Sequence, residues 1–410
     1  MVGDEPRVEE GIPLDDLKKG YCLVLSGGGA KGVYHLGVWK ALEELGMEVD
    51  AFIGTSIGAV VAGLLAQPGI GSLDGLGESI RVDSVVALPE GFVEEGKFSI
   101  GKESLSDAQD FFRSILHNKG LDTSPLRSLL ESLIDEKAIR CSGKDLGIVT
   151  INLTDFKPRE MFIEDMEEGT VIDYLMASAA LPGFKQPAIK GKKYMDGGIF
   201  DNIPYAMARR RGYRRIIVSD ISGLGRNRRP EVEGSITVYI KNSINMGGVL
   251  DFDRGFMKDF ERLGYLDTLR VFGWLEGCTY FIEPKGESGT RKLREGNRRL
   301  KPLESAASIV EVPRIARYSR EELAAAIAEK RGEDDSKIAD ILGSEPDVKG
   351  AVVAMIREAI NSGIFKGSPY YYHRLIETFM PKSAGKVLIK ALAGLFPDLP
   401  AGLEYMKTWR

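Results

Sequence analysis

A serine between two glycines is the first group in this chain whose type and spacing could do chemistry. Residues 51–65 read A-F-I-G-T-S-I-G-A-V-V-A-G-L-L, which is a short apolar strand, the pentapeptide Gly54-Thr55-Ser56-Ile57-Gly58 and a helix of small residues. A G-x-S-x-G turn between a strand and a helix is the nucleophile elbow, whose glycines leave room to lift the serine hydroxyl out of the sheet. The pattern predicts that Ser56 is a nucleophile and that the N–H of Ile57 points toward the same spot. In the alternative interpretation, Ser56 only caps the helix.

A second glycine-rich loop, Ser26-Gly27-Gly28-Gly29-Ala30-Lys31-Gly32, fits two kinds of site. As G-x-G-x-x-G it matches a dinucleotide fingerprint, but that motif needs an acidic residue at the end of the second strand, where this chain has its serine elbow. In the other interpretation, the N–H groups of Gly27, Gly28 and Gly29 form an oxyanion hole. Because the two loops follow neighbouring strands, we favour the oxyanion hole. Lys31 either adds positive charge there or lies solvated at the helix start.

The serine needs a base, and the three histidines are poorly placed to provide one. His35 lies in the first predicted helix, His117 in an irregular insertion and His373 in the helical tail. None follows an acidic partner at the end of a strand, so the sequence gives little support for a Ser-His-Asp triad.

Asp196 is the better candidate for the base. It ends a predicted strand at residues 192–196, and Gly197-Gly198 lets the backbone turn tightly enough to hold the carboxylate near the two loops. Its alternative role is structural, in an Asx turn. Asp201 is the competing carboxylate, and it could instead cap the helix that follows.

These candidate groups follow strands in a chain that alternates strands and helices. A series of strand, loop, helix, strand, turn and helix predicts a parallel sheet with helices on both faces. Besides strands at 21–25 and before the elbow, strands are predicted at 146–153, 159–163, 192–196, 215–219, 236–240 and 279–282, the last two as the final strands of this sheet. Helices are predicted at 33–45, 107–116, 125–136, 172–180 and 203–211.

The bulk composition is that of a soluble globular protein, with 43% hydrophobic and 28% charged residues. A net charge of −5 gives no argument for binding nucleic acid. Cys22, Cys141 and Cys278 have no metal-ligand spacing, and we expect them to be buried in a reducing compartment. Neither a metal nor a cofactor is predicted. Residues 1–20 carry no secretory signal and no apolar run reaches ~18 residues, so a cytoplasmic protein is predicted, with peripheral membrane contact left open.

The character of the chain changes after about Leu303. Residues 320–331, 348–362 and 371–379 have helical periodicity, and strand-like alternation is lacking. We therefore predict a polar lead-in at 1–20, an α/β catalytic domain at 21–302 and an α-helical extension at 303–410. The oligomeric state is not indicated.

Four motifs occur in the order and spacing found in the patatin-like phospholipases, so the chain resembles that family. They are Ser26-Gly-Gly-Gly-Ala-Lys-Gly32, Gly54-Thr-Ser-Ile-Gly58, Ala177-Ser-Ala-Ala-Leu-Pro-Gly-Phe184 and Asp196-Gly-Gly198. Asp122-Thr-Ser-Pro-Leu-Arg127 is similar to another stretch of the family, and the resemblance covers about residues 21–220. Lys31 stands where many members carry arginine, which keeps the charge but loses the fork geometry.

The resemblance implies a three-layer α/β/α sandwich with a central, mostly parallel sheet, and a Ser-Asp dyad in place of a triad. In that scheme Ser56 is the nucleophile, Asp196 takes its proton, the glycine loop is the oxyanion hole, and no metal is needed. The implied reaction is hydrolysis of a lipid carboxylic ester through an acyl-enzyme, of the phospholipase A, lysophospholipase or esterase type. The alternative is a catalytically silent protein that uses the same fold to bind a lipid or a partner.

A lipid substrate would bring the protein to a membrane surface, and three segments are candidates for contact with it. Two are basic clusters, at 209–215 and 291–301, of which the first also suits the end of a helix. The third is the amphipathic tail at 386–399, although such a stripe more often packs on its own domain.

Overall fold

The structure is a computed structural model, and it divides the chain into two compact units, Met1–Val271 and Phe272–Arg410. It describes residues 20–69, 76–80, 82–87, 93–94, 97–98, 120–223, 225–228, 232–244, 253–285, 290–343 and 348–409. The lead-in predicted at 1–20 (apart from Gly20) and the helix predicted at 107–116 lie outside these residues. The domain boundary after residue 302 stays a prediction, whereas by compactness the chain divides after Val271.

The strands and helices of the first unit confirm most of the predicted elements. Its strands are β1 (Tyr21–Leu25), β2 (Val49–Thr55), β3 (Val93–Glu94), β4 (Lys97–Phe98), β5 (Asp145–Asn152), β6 (Lys157–Phe162), β7 (Ala188–Ile189), β8 (Lys192–Asp196), β9 (Arg215–Asp220) and β10 (Ile236–Lys241). Its helices are α1 (Val33–Glu44), α2 (Ile57–Leu65), α3 (Leu76–Ser79), α4 (Ser124–Leu133), α5 (Glu136–Cys141), α6 (Val171–Ser178), α7 (Tyr205–Arg211) and α8 (Arg254–Val271).

The central sheet is mostly parallel, as predicted. Its strand order is β10-β9-β1-β2-β5-β8-β7, with β6 paired to β5. The five strands from β10 to β5 run parallel, and β6, β7 and β8 add antiparallel pairs at the other side. Carboxyl ends of parallel strands share one edge of a sheet, so the loops after β1 and β2 emerge side by side.

Helices cover both faces of this sheet, because alternate strand residues point to opposite faces. On one face, strand residues such as Val24 and Ile53 form a buried cluster with Tyr205 and Met207 of α7. On the other face, Phe52 meets Trp39 of α1 edge to face, with ring centroids 5.4 Å apart. The architecture is therefore the expected three-layer α/β/α sandwich.

The second unit is predominantly helical. Its helices are α9 (Thr290–Ile309), α10 (Arg320–Leu342), α11 (Val348–Ser362), α12 (Pro369–Phe379), α13 (Lys382–Leu395) and α14 (Leu399–Lys407). They enclose their own core, in which Ile327, Ile356, Leu375 and Leu392 are fully buried. Across the described ranges of both units, no helix is long and apolar enough to cross a membrane.

Two expectations about the chain are wrong. The strand predicted at 279–282 as a last strand of the main sheet is instead β11 (Phe281–Ile282), which pairs with β12 (Arg317–Tyr318) in the second unit. A short apolar run carries no information about its partner strand. Of the three cysteines expected to be buried, only Cys22 is; Cys141 and Cys278 are exposed.

Candidate active site

Two strands that meet end to end bring the elbow and Asp196 together. Residues 147–152 of β5 pair with β6 along one side, so β2 and β8 must share the other side. There Thr55, the last residue of β2, pairs with Val149, and Asp196, the last residue of β8, pairs with the next residue, Thr150. Because β8 runs antiparallel to β2, the carboxyl ends of the two strands face each other. Ser56 and Asp196 are therefore neighbours in space.

The backbone at Ser56 has the strained geometry of an elbow. Its φ is 57° and its ψ is −130°, a backbone conformation that residues other than glycine rarely adopt. Within the described segment 20–69 its side chain makes no capping hydrogen bond to α2, so the helix-cap interpretation is wrong. A Cβ on Gly54 would lie 2.5 Å from the N of Ala59, and one on Gly58 would lie 2.6 Å from the carbonyl oxygen of Ser26. Both glycines are required by close backbone contacts.

One segment, Ser178–Ala180, holds both candidate catalytic residues by their backbones. The Ser178 hydroxyl accepts a hydrogen bond from the N–H of Ser56 at 2.9 Å and donates one to the carbonyl of Val149 at 2.7 Å. Two residues later, the Ala180 carbonyl accepts a hydrogen bond from the N–H of Asp196 at 2.9 Å. Sequence reasoning missed this role. The only signal was the motif at 177–184, to which no function was assigned.

The carboxylate of Asp196 is buried and only half satisfied. Its side chain is 3% exposed, and Oδ1 accepts a hydrogen bond from the N–H of Gly198 at 2.7 Å, so an Asx-type turn is present. Oδ2 has no hydrogen-bond partner among the described residues. The Ser56 hydroxyl is nevertheless close enough to help lower the pKa of Asp196, although it lies outside strict hydrogen-bond geometry in this conformation. Catalytic hydrogen bonds are often this loose before substrate binds.

Burial dominates the titration of this carboxylate. It raises the pKa of Asp196 to about 6, against smaller opposing effects from the Ser56 hydroxyl and the N–H of Gly198. A carboxylate with a pKa near 6 is still ionised at neutral pH and is a stronger base than an exposed one. Asp196 can therefore hold a proton taken from Ser56.

Asp201 is also buried but has different neighbours. Burial raises its pKa to about 6 as well, and the groups acting on it in the described structure are Arg228, Ile203, Glu160 and Arg210, without Ser56. Its Oδ1 accepts a hydrogen bond from the N–H of Ile203 at 3.3 Å, at the approach to α7. The two carboxylates are thus a natural pair for comparison.

The glycine loop offers some of the N–H groups that an oxyanion hole needs. The N–H of Gly27 is already donated to the carbonyl of Asn202 at 3.2 Å, which argues against the donor role predicted for Gly27. The N–H groups of Gly28, Gly29 and Ile57 have no acceptor among the described residues. Ile57 is the first residue of α2, where an N–H has no partner within the helix and favours an anion.

Lys31 and Gly197 were predicted to support the site, and both lie in close-packed surroundings. Lys31 is 8% exposed, and its Nζ lies 3.4 Å from the Ser222 carbonyl, so the solvated interpretation is wrong. Its pKa is lowered by burial, with an opposing effect from Asp220. A Cβ on Gly197 would lie 2.6 Å from the carbonyl carbon of Val149, so this glycine lets Asp196 approach β5.

None of the three histidines is placed beside Ser56 by the described contacts. His35 is fully buried between the Ser219 hydroxyl at 2.7 Å and the Ser26 carbonyl at 2.9 Å, and burial lowers its pKa to about 4. His373 lies in α12 of the second unit, and His117 lies outside the described residues. No cluster of three or more metal-ligating side chains occurs in the described ranges.

Part of this chain matches a known protein family. Residues 23–209 match the family model described as "Patatin-like phospholipase", a range that contains the glycine loop, the elbow and Asp196. The chain contains a patatin-like phospholipase domain. This confirms the resemblance that the motifs indicated.

Two of the similar proteins are much longer than the region that aligns with this chain. The "Patatin-like phospholipase domain-containing protein 6" of Mus musculus is 30% identical over 204 residues, which are 49% of this chain and 13% of that protein. "Lysophospholipase NTE1" of Eremothecium gossypii is 29% identical over 209 residues, 49% of this chain and 12% of that protein. The crystal structure of VipD from Legionella pneumophila has a TM-score of 0.37 at 15% identity, covering 94% of this chain and 90% of that one.

Proposed function

We propose that this protein is a serine hydrolase that cleaves lipid carboxylic esters with a Ser56–Asp196 dyad. The observation that carries the proposal is the buried carboxylate of Asp196, whose Oδ2 lacks a partner among the described residues and whose pKa the nearby Ser56 hydroxyl acts to lower. A binding protein has no need for a buried, half-satisfied carboxylate beside a strained serine. The names of the similar proteins support a lipid as the substrate class.

The proposed reaction has two halves. Ser56 Oγ attacks the ester carbonyl carbon while its proton passes to Asp196, and the oxyanion accepts hydrogen bonds from N–H groups of Gly28, Gly29 and Ile57. The C–O bond to the alcohol breaks, and the alcohol leaves with the proton from Asp196. In the second half Asp196 takes a proton from the water that attacks the acyl-enzyme carbonyl. The C–O bond to Ser56 then breaks, Asp196 returns the proton to Ser56 Oγ, and the fatty acid leaves. No metal or cofactor is needed in either half.

Release of fatty acid tests this proposal. The full chain and a Ser56→Ala blank would be incubated with lysophosphatidylcholine, phosphatidylcholine vesicles and a triacylglycerol emulsion. We expect fatty acid from at least one lipid with the full chain and none with the blank. If no lipid and no short-chain ester is hydrolysed, the hydrolase proposal fails, and the catalytically silent lipid- or partner-binding protein becomes the better account.

The pH dependence should report Asp196. Because the base must be ionised and its pKa is raised to about 6, kcat/KM for a water-soluble ester should be level above that pH. It should fall about tenfold per pH unit below it. The matched control is Asp201→Asn, which removes the other carboxylate of raised pKa and should keep the inflection. An inflection near pH 4, or one that disappears in Asp201→Asn, would contradict the assignment of Asp196 as the base.

A further inference from the structure

The hairpin between β5 and β6 projects past the candidate active site. β5 continues three residues beyond Val149, the partner of Thr55, which at ~3.3 Å per residue is about 10 Å beyond the level of the elbow. The loop at 153–156 follows, and Lys157 pairs back with Asn152. The start of β8 lies against this loop, since the N–H of Leu153 donates to the Lys193 carbonyl at 2.8 Å. The loop therefore forms the tip of the β5–β6 hairpin, beyond the end of β2 on the active-site edge of the sheet.

Phe156, in this loop, is poorly suited to water. Its side chain is 86% exposed, the most exposed of the large hydrophobic residues in the described structure. Its φ is 54°, in the left-handed region that favours glycine or asparagine and is costly for a bulky residue. A single exposed apolar side chain is ordinary, but here an aromatic ring is displayed at an unfavourable backbone position. Folding alone gives no reason for that choice.

Two lysines near this loop lack a carboxylate partner among the described residues. Lys157 and Lys193 are both exposed, and neither forms an ion pair with a described carboxylate. Two nearby lysines differ, because Lys192 pairs with Asp155 at 2.8 Å and Lys190 pairs with Glu167. An exposed aromatic ring and free cations at one end of a hairpin fit the headgroup region of an anionic bilayer, where an aromatic ring reaches the acyl boundary and lysines meet lipid charge.

We propose that this tip, consisting of Phe156, Lys157 and Lys193, docks the catalytic unit onto an anionic phospholipid bilayer. The choice of a lipid bilayer as the binding partner rests on the proposed function. The docking site on the protein rests on the geometry and exposure of the hairpin. Docking here would bring the end of β5, about 10 Å beyond the level of the elbow, toward the membrane, which leaves a short path to Ser56 for an ester drawn from the bilayer.

The basic cluster at 209–215 is less suited to this role than the tip. Arg210 pairs with Glu160, Arg211 binds Asp145 at 2.8 Å, and Arg209 donates to the Glu233 carbonyl at 2.8 Å. Arginines that already bind acceptors within their own unit gain less binding free energy from anionic lipid headgroups than unpaired lysines do. In the cluster at 291–301, the side chains at 291–295 lie outside the described residues.

Vesicle co-sedimentation of the full chain tests the proposal, in a Ser56→Ala background so that no lipid is consumed. The vesicles are pure phosphatidylcholine or phosphatidylcholine mixed with phosphatidylglycerol. Phe156→Asn should bind the mixed vesicles about tenfold more weakly, because a buried aromatic ring is lost. Asparagine tolerates the left-handed backbone, so the fold should be kept and the melting temperature should not fall. Phe156→Trp should retain binding.

Two further variants distinguish the contribution of the Phe156 ring to binding from that of the lysine charges and from that of exposed aromatic rings in general. Lys157→Gln/Lys193→Gln should weaken binding to mixed vesicles about tenfold and leave the weaker binding to pure phosphatidylcholine nearly unchanged. Trp274→Asn removes another exposed aromatic ring, 60% exposed in the second unit, and should change nothing.

Three results would overturn the proposal. They are a parent protein that binds neither vesicle, Phe156→Asn that binds as the parent does, and Phe156→Asn that alters self-association instead. The proposed function is tested separately, by the hydrolysis of a water-soluble ester. Phe156→Asn with Ser56 intact should hydrolyse this ester as fast as the wild type does.

Discussion

Asp196→Asn is expected to lower kcat/KM for a water-soluble ester by about a thousandfold, because a positioned general base contributes on the order of 100- to 10,000-fold. The substitution keeps the size of the side chain, and the amide oxygen can still accept the hydrogen bond from the N–H of Gly198. KM should change little, since Asp196 acts on the Ser56 proton rather than on the bound ester. Steady-state kinetics at about pH 8, where the wild-type carboxylate is ionised, give the measurement.

The same substitution should make the fold more stable at that pH. The pKa of Asp196 is raised by burial from 3.8 to about 6, so the buried carboxylate carries a free-energy penalty that grows as pH rises from about 3.8 and is complete above about 6. For a group only 3% exposed, a shift of this size corresponds to about 3 kcal/mol. Asp196→Asn should therefore raise the free energy of unfolding at about pH 8, and the gain should vanish in acid.

Asp201→Asn is the control for both effects. Asp201 is fully buried and its pKa is also raised to about 6, so the variant should gain stability in the same pH range. Its carboxylate does not interact with Ser56 in the described structure, so activity should stay near the wild-type value. Equal losses of activity in the two variants would contradict the dyad, and a loss confined to Asp201→Asn would exchange the two roles.

Gly58→Ala is expected to cost about 3 kcal/mol of unfolding free energy and to lower activity about a hundredfold. A Cβ there would lie 2.6 Å from the carbonyl oxygen of Ser26 and closer still to that of Leu25. Both are backbone atoms at the junction of β1 and the glycine loop, so α2 or the loop must move. Either shift displaces Ser56 from the N–H groups that would bind the oxyanion. Urea unfolding and ester hydrolysis measure the two effects.

Gly63→Ala on the same helix is the matched control. Its Cβ would meet only the ends of flexible side chains, Leu175 Cδ1 at 3.1 Å and Ile134 Cδ1 at 3.5 Å. Alanine is favoured over glycine inside a helix by about 1 kcal/mol, which offsets a small rearrangement. We expect near-wild-type stability and activity. If both glycine variants behave alike, the close contact at Gly58 is not what shapes the elbow.

Local patterns in the sequence were enough to predict the main sheet and the candidate pair. The strand ending at Asp196 was predicted with its exact bounds, and the elbow was read from the glycines around Ser56, because both features depend on residues close in sequence. The parallel order of β1 and β2 followed from the alternation of strands and helices.

Long-range arrangement could not be read in this way. The end-to-end meeting of β2 and β8 depends on the register of both strands on β5, which no local pattern encodes. The role of Ser178 depends on a hydrogen bond to Ser56, 122 residues earlier. The loss of Gly27 as a donor depends likewise on Asn202, which lies far away in sequence. For the same reason β11 was assigned to the wrong sheet.

The central claim is that Ser56 is a nucleophile activated by Asp196, and the most direct measurement is covalent labelling with a fluorophosphonate followed by peptide mass mapping. An activated serine displaces fluoride from phosphorus and keeps the phosphonyl group. The account predicts one adduct per chain on the peptide that contains Ser56, labelling that is much slower in Asp196→Asn, and none in Ser56→Ala. A folded protein that takes up no probe, or that takes it up on a different serine, would contradict it.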